Sequence, residues 1–258
     1  MKKYIIILFV FVSILSCKNY KNDEDIVISL GGEVATIDPH LNTANIGTVY
    51  IRHFFEGLMK KDKDGKIIPG IAERYEMSDD GLVYTFYLRT NAKWSDGKNF
   101  TADDFLYSYR RFVDPKTAAP YGHLMKPIKN ALKITKGEIP VEELGIKKID
   151  DYTLEITLEN PTAYFLELAD MYLPVRKDII EEYGNTWVLN PESYICNGPY
   201  KMKERIIDDK IVMEINTNYY DYDKLVAKNI TIKMISDRNT ALAGVRNGDI
   251  HFSNLVPP

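Results

Sequence analysis

The segment between Ala72 and Gly97 constrains the fold more than any other part of the 258-residue chain. Between residues 82 and 89, large apolar side chains recur at every second position, which is the period of an extended strand. One turn sequence, Asp79-Asp80-Gly81, precedes this run, and another, Ser95-Asp96-Gly97, follows Trp94. The pattern predicts a strand with one packed face, and therefore a protein that contains a β-sheet. The side chains that share this face are Leu82, Tyr84, Phe86 and Leu88.

The composition is compatible with a soluble domain or with a protein held at a surface. Hydrophobic residues make up 45% of the chain, enough to bury a sizeable core in one large domain or two small ones. The formal net charge is −4, and the 33 lysines and arginines are scattered singly or in pairs. A nucleic-acid-binding protein usually carries a clustered basic surface. We therefore expect no nucleic-acid partner.

The first residues predict an export signal that is not part of the fold. Two lysines precede an apolar run from Tyr4 to Ser16, which is shorter than the roughly 20 residues of a membrane-spanning helix. The run ends in S-I-L-S-C, which resembles a bacterial lipobox. Residues 1–16 are therefore predicted to be a signal peptide, Cys17 the lipidated residue, and residues 17–25 a lipidated tether. The alternatives are ordinary signal cleavage or a membrane-anchored N-terminus.

The sequence contains no recognisable catalytic or metal-binding pattern. The four histidines are scattered, and there is no C-x-x-C pair, no Gly-x-Ser-x-Gly elbow and no glycine-rich phosphate loop. Asp62-Lys63-Asp64-Gly65 lacks the full spacing of a calcium loop, so a hairpin turn is predicted there. Cys196 is expected to be a small buried residue rather than a nucleophile. A binding protein without cofactor or metal is therefore favoured over an enzyme.

Further periodic segments predict helices and strands along the chain. Thr101, with Asp104 three residues later, predicts the N-cap of a helix that Asp114-Pro115 ends. An alternating run at residues 152–159 predicts a second strand with one buried face. The other predicted helices cover 46–59, 124–136, 163–171, 178–183 and a segment from 237 to 248, and the other predicted strands cover 26–30, 200–206, 211–215 and 230–235.

The exact amino-acid sequence of residues 72–97 resembles the signature of a known family. The run A-E-R-Y-x(5)-G-L-x-Y-T-F-x-L-R-x-x-A-K-W-S-D-G, with Phe100-Thr101-Ala102-Asp103-Asp104-Phe105 after it, is similar to that of the oligopeptide-binding proteins that serve ABC importers, solute-binding protein family 5. Three further stretches match the family's sequence motifs: Asp38-Pro39, Phe55-Glu56-Gly57-Leu58 and Asn197-Gly198-Pro199-Tyr200. The resemblance covers essentially all of the chain after the predicted signal.

The resemblance implies an α/β fold, with the mixed sheet of a type II periplasmic-binding-protein-like lobe. Lobe I would be discontinuous, made of residues 26–56 and 178–258, with an α+β subdomain of residues 57–177 inserted into it. The second lobe of the family is missing from the sequence. We therefore expect a fragment of a longer protein or a truncated paralogue, which binds peptides weakly or not at all on its own.

The resemblance also implies where a peptide would bind. In the family an extended peptide lies between two lobes, and the segment against its backbone falls on Thr43, Ala44 and Asn45. Main-chain groups would make this contact, as in strand addition. Tyr121 falls on the family's tyrosine that packs over the bound peptide. The alternative is that Tyr121 only closes a loop onto the core.

The predicted function is that of an extracytoplasmic lipoprotein that delivers oligopeptides to the permease subunits of an ABC transporter. The protein would be a monomer, held by its N-terminal lipid at the membrane, in the periplasm or at the cell surface. Two alternatives stay open. One is a binder of nickel, haem or oligosaccharides, as in relatives of the same fold. The other is an interaction lipoprotein or a gene product without transport activity.

Overall fold

The computed structural model describes residues 25–255, which form three sheets and six α-helices. The predicted signal peptide, Cys17 and the tether before Asp25 lie outside the described residues. The strands are β1 (Asp25–Gly31), β2 (Met59–Lys61), β3 (Ile67–Pro69), β4 (Ala72–Met77), β5 (Val83–Leu88), β6 (Ile146–Asp150), β7 (Thr153–Thr157), β8 (Tyr200–Ile206), β9 (Lys210–Ile215), β10 (Asn229–Met234) and β11 (Phe252–Ser253). The α-helices are α1 (Asn45–Phe54), α2 (Ala102–Val113), α3 (Ala131–Thr135), α4 (Phe165–Met171), α5 (Lys177–Tyr183) and α6 (Arg238–Asn247). Short 3₁₀ helices cover Gly122–Met125, Val141–Glu143, Gly184–Val188 and Tyr222–Lys224.

A mixed five-stranded sheet combines the first strand with the last four, in the order β11-β1-β10-β9-β8. β1 runs parallel to both neighbours, with Ile26 opposite Ile230 and Ile28 opposite Phe252. β8 and β9, the strands predicted at 200–206 and 211–215, form an antiparallel hairpin whose turn contains Asp208 at φ +59°. Parallel pairing at one side and antiparallel pairing at the other make this the mixed sheet that the resemblance implied.

The strand predicted between residues 82 and 89 is β5, which lies in an antiparallel sheet ordered β4-β5-β7-β6. Its burial alternates as expected, with Tyr84, Phe86 and Leu88 buried and the residues between them half-buried. β7 follows the same rule, and Leu154 and Ile156 are fully buried. The prediction of two strands with one packed face is therefore confirmed. A separate hairpin of β2 and β3 encloses the predicted turn at residues 62–65.

Two helix predictions are wrong in their extent. α1 ends at Phe54 instead of residue 59, because the backbone becomes extended at Phe55. In this conformation the Gly57 carbonyl accepts the Ile71 N–H, and the Leu58 carbonyl accepts the Gly70 N–H. The predicted helix over residues 124–136 is divided into a 3₁₀ turn and α3. Pro127 has no N–H to donate within a helix, and Asn130 takes a left-handed φ of +69° just before α3 begins.

One contiguous apolar cluster joins the two large sheets. Both tryptophans, Trp94 and Trp187, lie in it and are 1% exposed. Cys196 is fully buried, as predicted, and burial raises the pKa of its thiol to about 12. The N-terminus of α2 also forms as predicted, because the Asp104 carboxylate accepts the Thr101 N–H at 2.8 Å. No helix within residues 25–255 has the length and apolarity needed to cross a bilayer.

Candidate peptide-binding cleft

A cavity of about 280 Å³ lies between the start of α1, the 3₁₀ turn at Gly122–Met125 and the end of α4. Its lining is mostly apolar or neutral, and Arg52 is its one charged side chain. Of the four residues predicted to contact a peptide, Thr43, Asn45 and Tyr121 line this cavity together. The lining residues are Pro39, Asn42, Thr43, Asn45, Thr48, Ile51, Arg52, Phe112, Tyr121, Leu124, Met171, Tyr172 and Leu173.

The main chain of the Thr43 segment is only partly used by the fold. Ala44 is half-buried and does not line the cavity; its N–H donates to Asn42 Oδ1 at 3.2 Å, and its carbonyl accepts the Thr48 N–H at 3.0 Å. Thr43 is exposed, and its N–H and carbonyl find no hydrogen-bond partner among residues 25–255. Asn45 begins α1, where the first N–H groups have no acceptor within the helix. Thr43 therefore presents a free donor and a free acceptor at the cavity.

A buried polar cluster holds this segment from behind. The Arg111 guanidinium, on α2, donates to Asp38 Oδ2 at 2.8 Å and to Asp38 Oδ1 at 3.2 Å. It also donates to His40 Nδ1 at 2.7 Å, and His40 Nε2 lies 2.9 Å from the Leu173 carbonyl oxygen. The Trp187 indole N–H donates to Asp38 Oδ2 at 3.1 Å. Because Nδ1 accepts, Nε2 carries the proton, and the imidazole is neutral.

The titration of this cluster follows from its burial. Burial and the neighbouring Arg111 charge lower the pKa of His40 to about 4, although Asp38 and the Leu173 carbonyl act in the opposite direction. For Asp38, burial alone would raise the pKa of the carboxyl. The charge and hydrogen bonds of Arg111 outweigh that effect, and the pKa lies below its ordinary value. At neutral pH the cluster is thus one ion pair plus a neutral imidazole.

Tyr121 is placed by the close packing of the turn that follows it. A Cβ at Gly122 would come within 2.6 Å of the Phe112 carbonyl oxygen, so only glycine lets the turn lie this close to α2. The Tyr172 hydroxyl donates to the Leu124 carbonyl at 2.7 Å and ties the same turn to the end of α4. The Tyr121 side chain remains 43% exposed at the cavity. The core therefore leaves this ring available to a ligand.

Arg52 and Asp170 close the far end of the cavity. Arg52 donates from one guanidinium nitrogen to both the carboxylate and the carbonyl oxygen of Asp170, and from the other to Asp170 Oδ2 at 2.9 Å. Asp170 is buried, whereas 35% of the Arg52 side chain stays exposed. This bidentate pair fixes α1 against α4 and leaves part of a cation facing the cavity.

Sequence reasoning missed the residues that support the cleft. Asp38-Pro39-His40 was recognised only as a family match, and nothing in the local sequence marks Arg111, Arg52 or Asp170 as their partners. A lone arginine on an amphipathic helix normally indicates a solvated face. An Asp-x-His in the loop that follows a buried strand is the one signal for a cationic partner, because polar side chains that become buried need hydrogen-bond partners.

Comparison with known proteins identifies the family of the chain. Residues 66–258 match the family model described as "Bacterial extracellular solute-binding proteins, family 5 Middle". The chain belongs to this family. This family 5 chain is 39% identical to the periplasmic oligopeptide-binding protein OppA of Salmonella typhimurium over 239 residues. The match covers 91% of the chain and 44% of that relative, so the chain spans about half the relative's length.

Solved structures of other family members share the fold of the family 5 chain. OppA of Burkholderia pseudomallei superposes with a TM-score of 0.87 at 33% identity, over 92% of this chain and 47% of that one. A structure described as Listeria monocytogenes OppA bound to peptide gives a TM-score of 0.86 at 35% identity, over 89% of this chain and 46% of that one. The predicted fold class, an α/β fold with the mixed sheet of a lobe of this family, is confirmed.

Proposed function

We propose that this chain supplies one wall of the peptide cleft in an extracytoplasmic receptor that delivers oligopeptides to an ABC permease. The observation that carries the proposal is the cavity lined by Thr43, Asn45 and Tyr121, where the main chain of Thr43 is unpaired within residues 25–255. An extended peptide offers a donor and an acceptor at each residue, so it can add to Thr43 as a strand adds to a sheet edge. The Salmonella relative, an oligopeptide-binding protein, and the Listeria OppA structure, bound to peptide, support this ligand class.

In this proposal the chain is organised as the resemblance implied. Residues 26–56 and 178–258 form lobe I, and residues 57–177 form the inserted subdomain. The pairing of β1 with β10 and β11, which unites the two ends of the described chain in one sheet, supports the discontinuous lobe. Cys17 carries the lipid that anchors a monomeric receptor to the membrane. The receptor works by binding and release, not as an enzyme, and needs no cofactor.

Pairing through main-chain groups explains how such a receptor accepts many sequences. Each main-chain hydrogen bond contributes about 0.5–1.5 kcal/mol net and is indifferent to the side chain of the peptide. The exposed Tyr121 ring adds apolar contact of equally low selectivity. Affinity therefore arises mainly from the extended backbone, which all short peptides share.

The test is a titration of the ¹⁵N-labelled chain with a mixed pool of tri- to pentapeptides, followed by amide chemical shifts. We expect the shifts to concentrate at residues 43–45 and around Tyr121, with an affinity weaker than micromolar because one wall of a cleft is present. Parallel titrations with nickel, haem and a maltooligosaccharide test the other ligands bound by this fold. Shifts caused by one of these and not by peptides would overturn the proposal.

Variants at three residues make the test specific. Thr43→Pro removes the free N–H and is expected to weaken peptide binding about threefold to tenfold, whereas Thr43→Ala keeps the main chain and should change binding less than twofold. Tyr121→Ala should weaken binding, and Tyr183→Ala, which truncates another exposed tyrosine outside the cavity, should not. Equal binding by all four variants would contradict the assignment of the site.

A further inference from the structure

A second cavity, of about 410 Å³, continues from the cleft at the C-terminal end of α1. It shares Arg52 and Met171 with the first cavity, so the two adjoin at these side chains. Its lining is charged, unlike that of the cleft, and includes Lys60 and Lys61 on β2. A peptide that leaves the cleft past Arg52 thus enters a space of different chemistry.

The carboxylates that line this second cavity are already paired within the protein. Asp170 is held by the bidentate Arg52 guanidinium. The two oxygens of Glu56 each accept a tyrosine hydroxyl at 2.5 Å, one from Tyr219 and one from Tyr220. Lys60 Nζ lies 3.2 Å from Glu56 Oε2. A cationic ligand would therefore compete with these donors for either carboxylate.

Two of the three cations of the same cavity, Lys61 and Arg52, are less completely used. Lys61 is exposed and has no ion-pair partner among residues 25–255. Arg52 keeps 35% of its side chain exposed. Lys60 Nζ, in contrast, already donates to Glu56 Oε2 and to the hydroxyls of Tyr219 and Tyr220, so its three N–H groups are in use. With Arg52, Lys60 and Lys61 set against two carboxylates, the cavity carries a net positive charge. An anion placed there would gain charge-assisted hydrogen bonds without displacing an existing partner.

The distance along α1 fits a peptide that occupies both cavities. Arg52 follows Asn45 by seven positions, which at about 1.5 Å per residue places it roughly 10 Å along the helix. An extended peptide advances about 3.3 Å per residue and covers that distance in about three residues. A carboxylate on the fourth or fifth residue, counted from the one paired with Thr43, would therefore reach the charged cavity.

We infer that this cavity is a carboxylate subsite of the peptide cleft, in which Lys61 and the exposed part of Arg52 receive an acidic group of the bound peptide. The inference rests on the proposed function, because it assumes that a peptide pairs with Thr43. The carboxylate can come from an acidic side chain or from the C-terminus of the peptide. Either source gives the receptor a preference for acidic over neutral groups at one position.

The experiment uses the pentapeptides Ala-Ala-Ala-Glu-Ala and Ala-Ala-Ala-Gln-Ala, each with a free or an amidated C-terminus, titrated against the ¹⁵N-labelled chain. The Thr43 amide shift reports occupancy of the cleft, and the ratio of dissociation constants reports the subsite. At low ionic strength we expect a preference of about fivefold for a carboxylate, which falls as salt is added. The Glu/Gln ratio measures the side-chain source, and the free/amide ratio measures the C-terminal source.

The variants decide whether Lys61 provides the preference. Lys61→Gln is expected to lower both ratios towards one, Lys61→Arg to retain the preference, and Lys63→Gln, on the exposed turn of the same hairpin, to leave it unchanged. Equal affinities for all four peptides, or a preference that Lys61→Gln does not reduce, would overturn the subsite alone. If no peptide moves the Thr43 resonance, the proposed function fails and the subsite with it.

Discussion

At the scale of single residues, Arg111 organises the floor of the cleft. Its guanidinium binds the Asp38 carboxylate and the His40 ring, and the Trp187 indole donates to the same carboxylate. The ion pair is nearly inaccessible to water, with side-chain exposures of 9% for Arg111 and 2% for Asp38. Removing one partner of such a pair typically costs about 3–5 kcal/mol, because the other charge stays buried. The position of the Thr43 segment therefore depends on one arginine.

The neutral state of His40 predicts how stability depends on pH. In the unfolded chain a histidine binds its proton near its ordinary pKa of 6.5, whereas in the folded protein His40 resists protonation until about pH 4. The unfolded state thus binds more protons between these values, and stability is lost as the pH falls from 6.5 towards 4. A difference of this size between the folded and unfolded pKa values lowers the free energy of unfolding by about 3 kcal/mol once the pH is below both values. Urea unfolding at pH 7, 5.5 and 4.5 measures the slope.

Two substitutions test whether His40 causes this pH dependence of the unfolding free energy. His40→Gln carries no titratable proton and should flatten the dependence of the unfolding free energy on pH in this window, even if the variant is less stable throughout. His123→Gln changes an exposed histidine and should keep the wild-type slope. The pKa of His53 is also lowered, by burial, so some slope with the same sign should remain in His40→Gln. Parallel curves for wild type and His40→Gln would refute this account.

The candidate site could be predicted from the sequence only where a local motif marked it. The resemblance to the family's sequence identifies Thr43, Asn45 and Tyr121, and the structure brings them to one cavity. Arg111 lies 73 positions from Asp38, and no spacing rule connects residues at that separation. Contacts between distant segments depend on how the helices pack, which periodicity does not encode.

At the scale of elements, the junction between α1 and β8 depends on Gly198. A Cβ at this position would lie 2.5 Å from the Phe54 carbonyl carbon, 2.6 Å from the Phe54 oxygen and 2.7 Å from the Phe55 nitrogen. All three are backbone atoms, so no side chain can move aside. The Gly198 N–H also donates to the Phe54 carbonyl at 2.7 Å and terminates α1. The end of the helix and the entry to the strand are thus in direct backbone contact.

Gly198→Ala is therefore expected to destabilise the protein by about 2–3 kcal/mol, because the added methyl group forces the two segments apart. Gly137→Ala is the control. It places a methyl group in open space at a φ of +73° and bears only the backbone strain, about 1 kcal/mol. Chemical denaturation gives both values, and the Phe54 and Phe55 amide shifts should move in Gly198→Ala only. A Gly198→Ala protein as stable as wild type would contradict the close approach.

Elements with a buried face could be predicted from the sequence, and exposed or interrupted ones could not. β5 and β7 show alternation because one side of each is packed. β4 is an edge strand whose residues after Ala72 are all exposed, so it has no alternation to detect. The end of α1 depends on the close approach of Gly57 to the backbone of α4. The helical spacing of apolar residues continues beyond Phe54, so the sequence pattern does not mark this end.

At the scale of the whole molecule, the two large sheets are expected to unfold together. Their apolar side chains form one cluster, and the Arg52–Asp170 pair ties α1 to α4. The two tryptophans of the chain report on the two proposed regions, because Trp94 packs on Phe100 and Trp187 stacks on Tyr194. In Trp94→Phe and in Trp187→Phe, the fluorescence midpoint in urea should equal the far-UV circular dichroism midpoint of the same variant. In Trp187→Phe, where Trp94 is the remaining tryptophan, a fluorescence transition that precedes the circular dichroism signal would mean that residues 57–177 unfold independently.

The place of β1 in the mixed sheet has a consequence for the chain as it is synthesised. β1 lies between β10 and β11, and Asp25 bonds to a residue 204 positions later. A chain that emerges from the ribosome N-terminus first must carry this apolar strand without either neighbour until residues 229–253 have followed it. Sheets closed by such distant segments form slowly and expose unpaired edges meanwhile. The order of synthesis, more than the size of the core, therefore sets how long the nascent protein depends on chaperones.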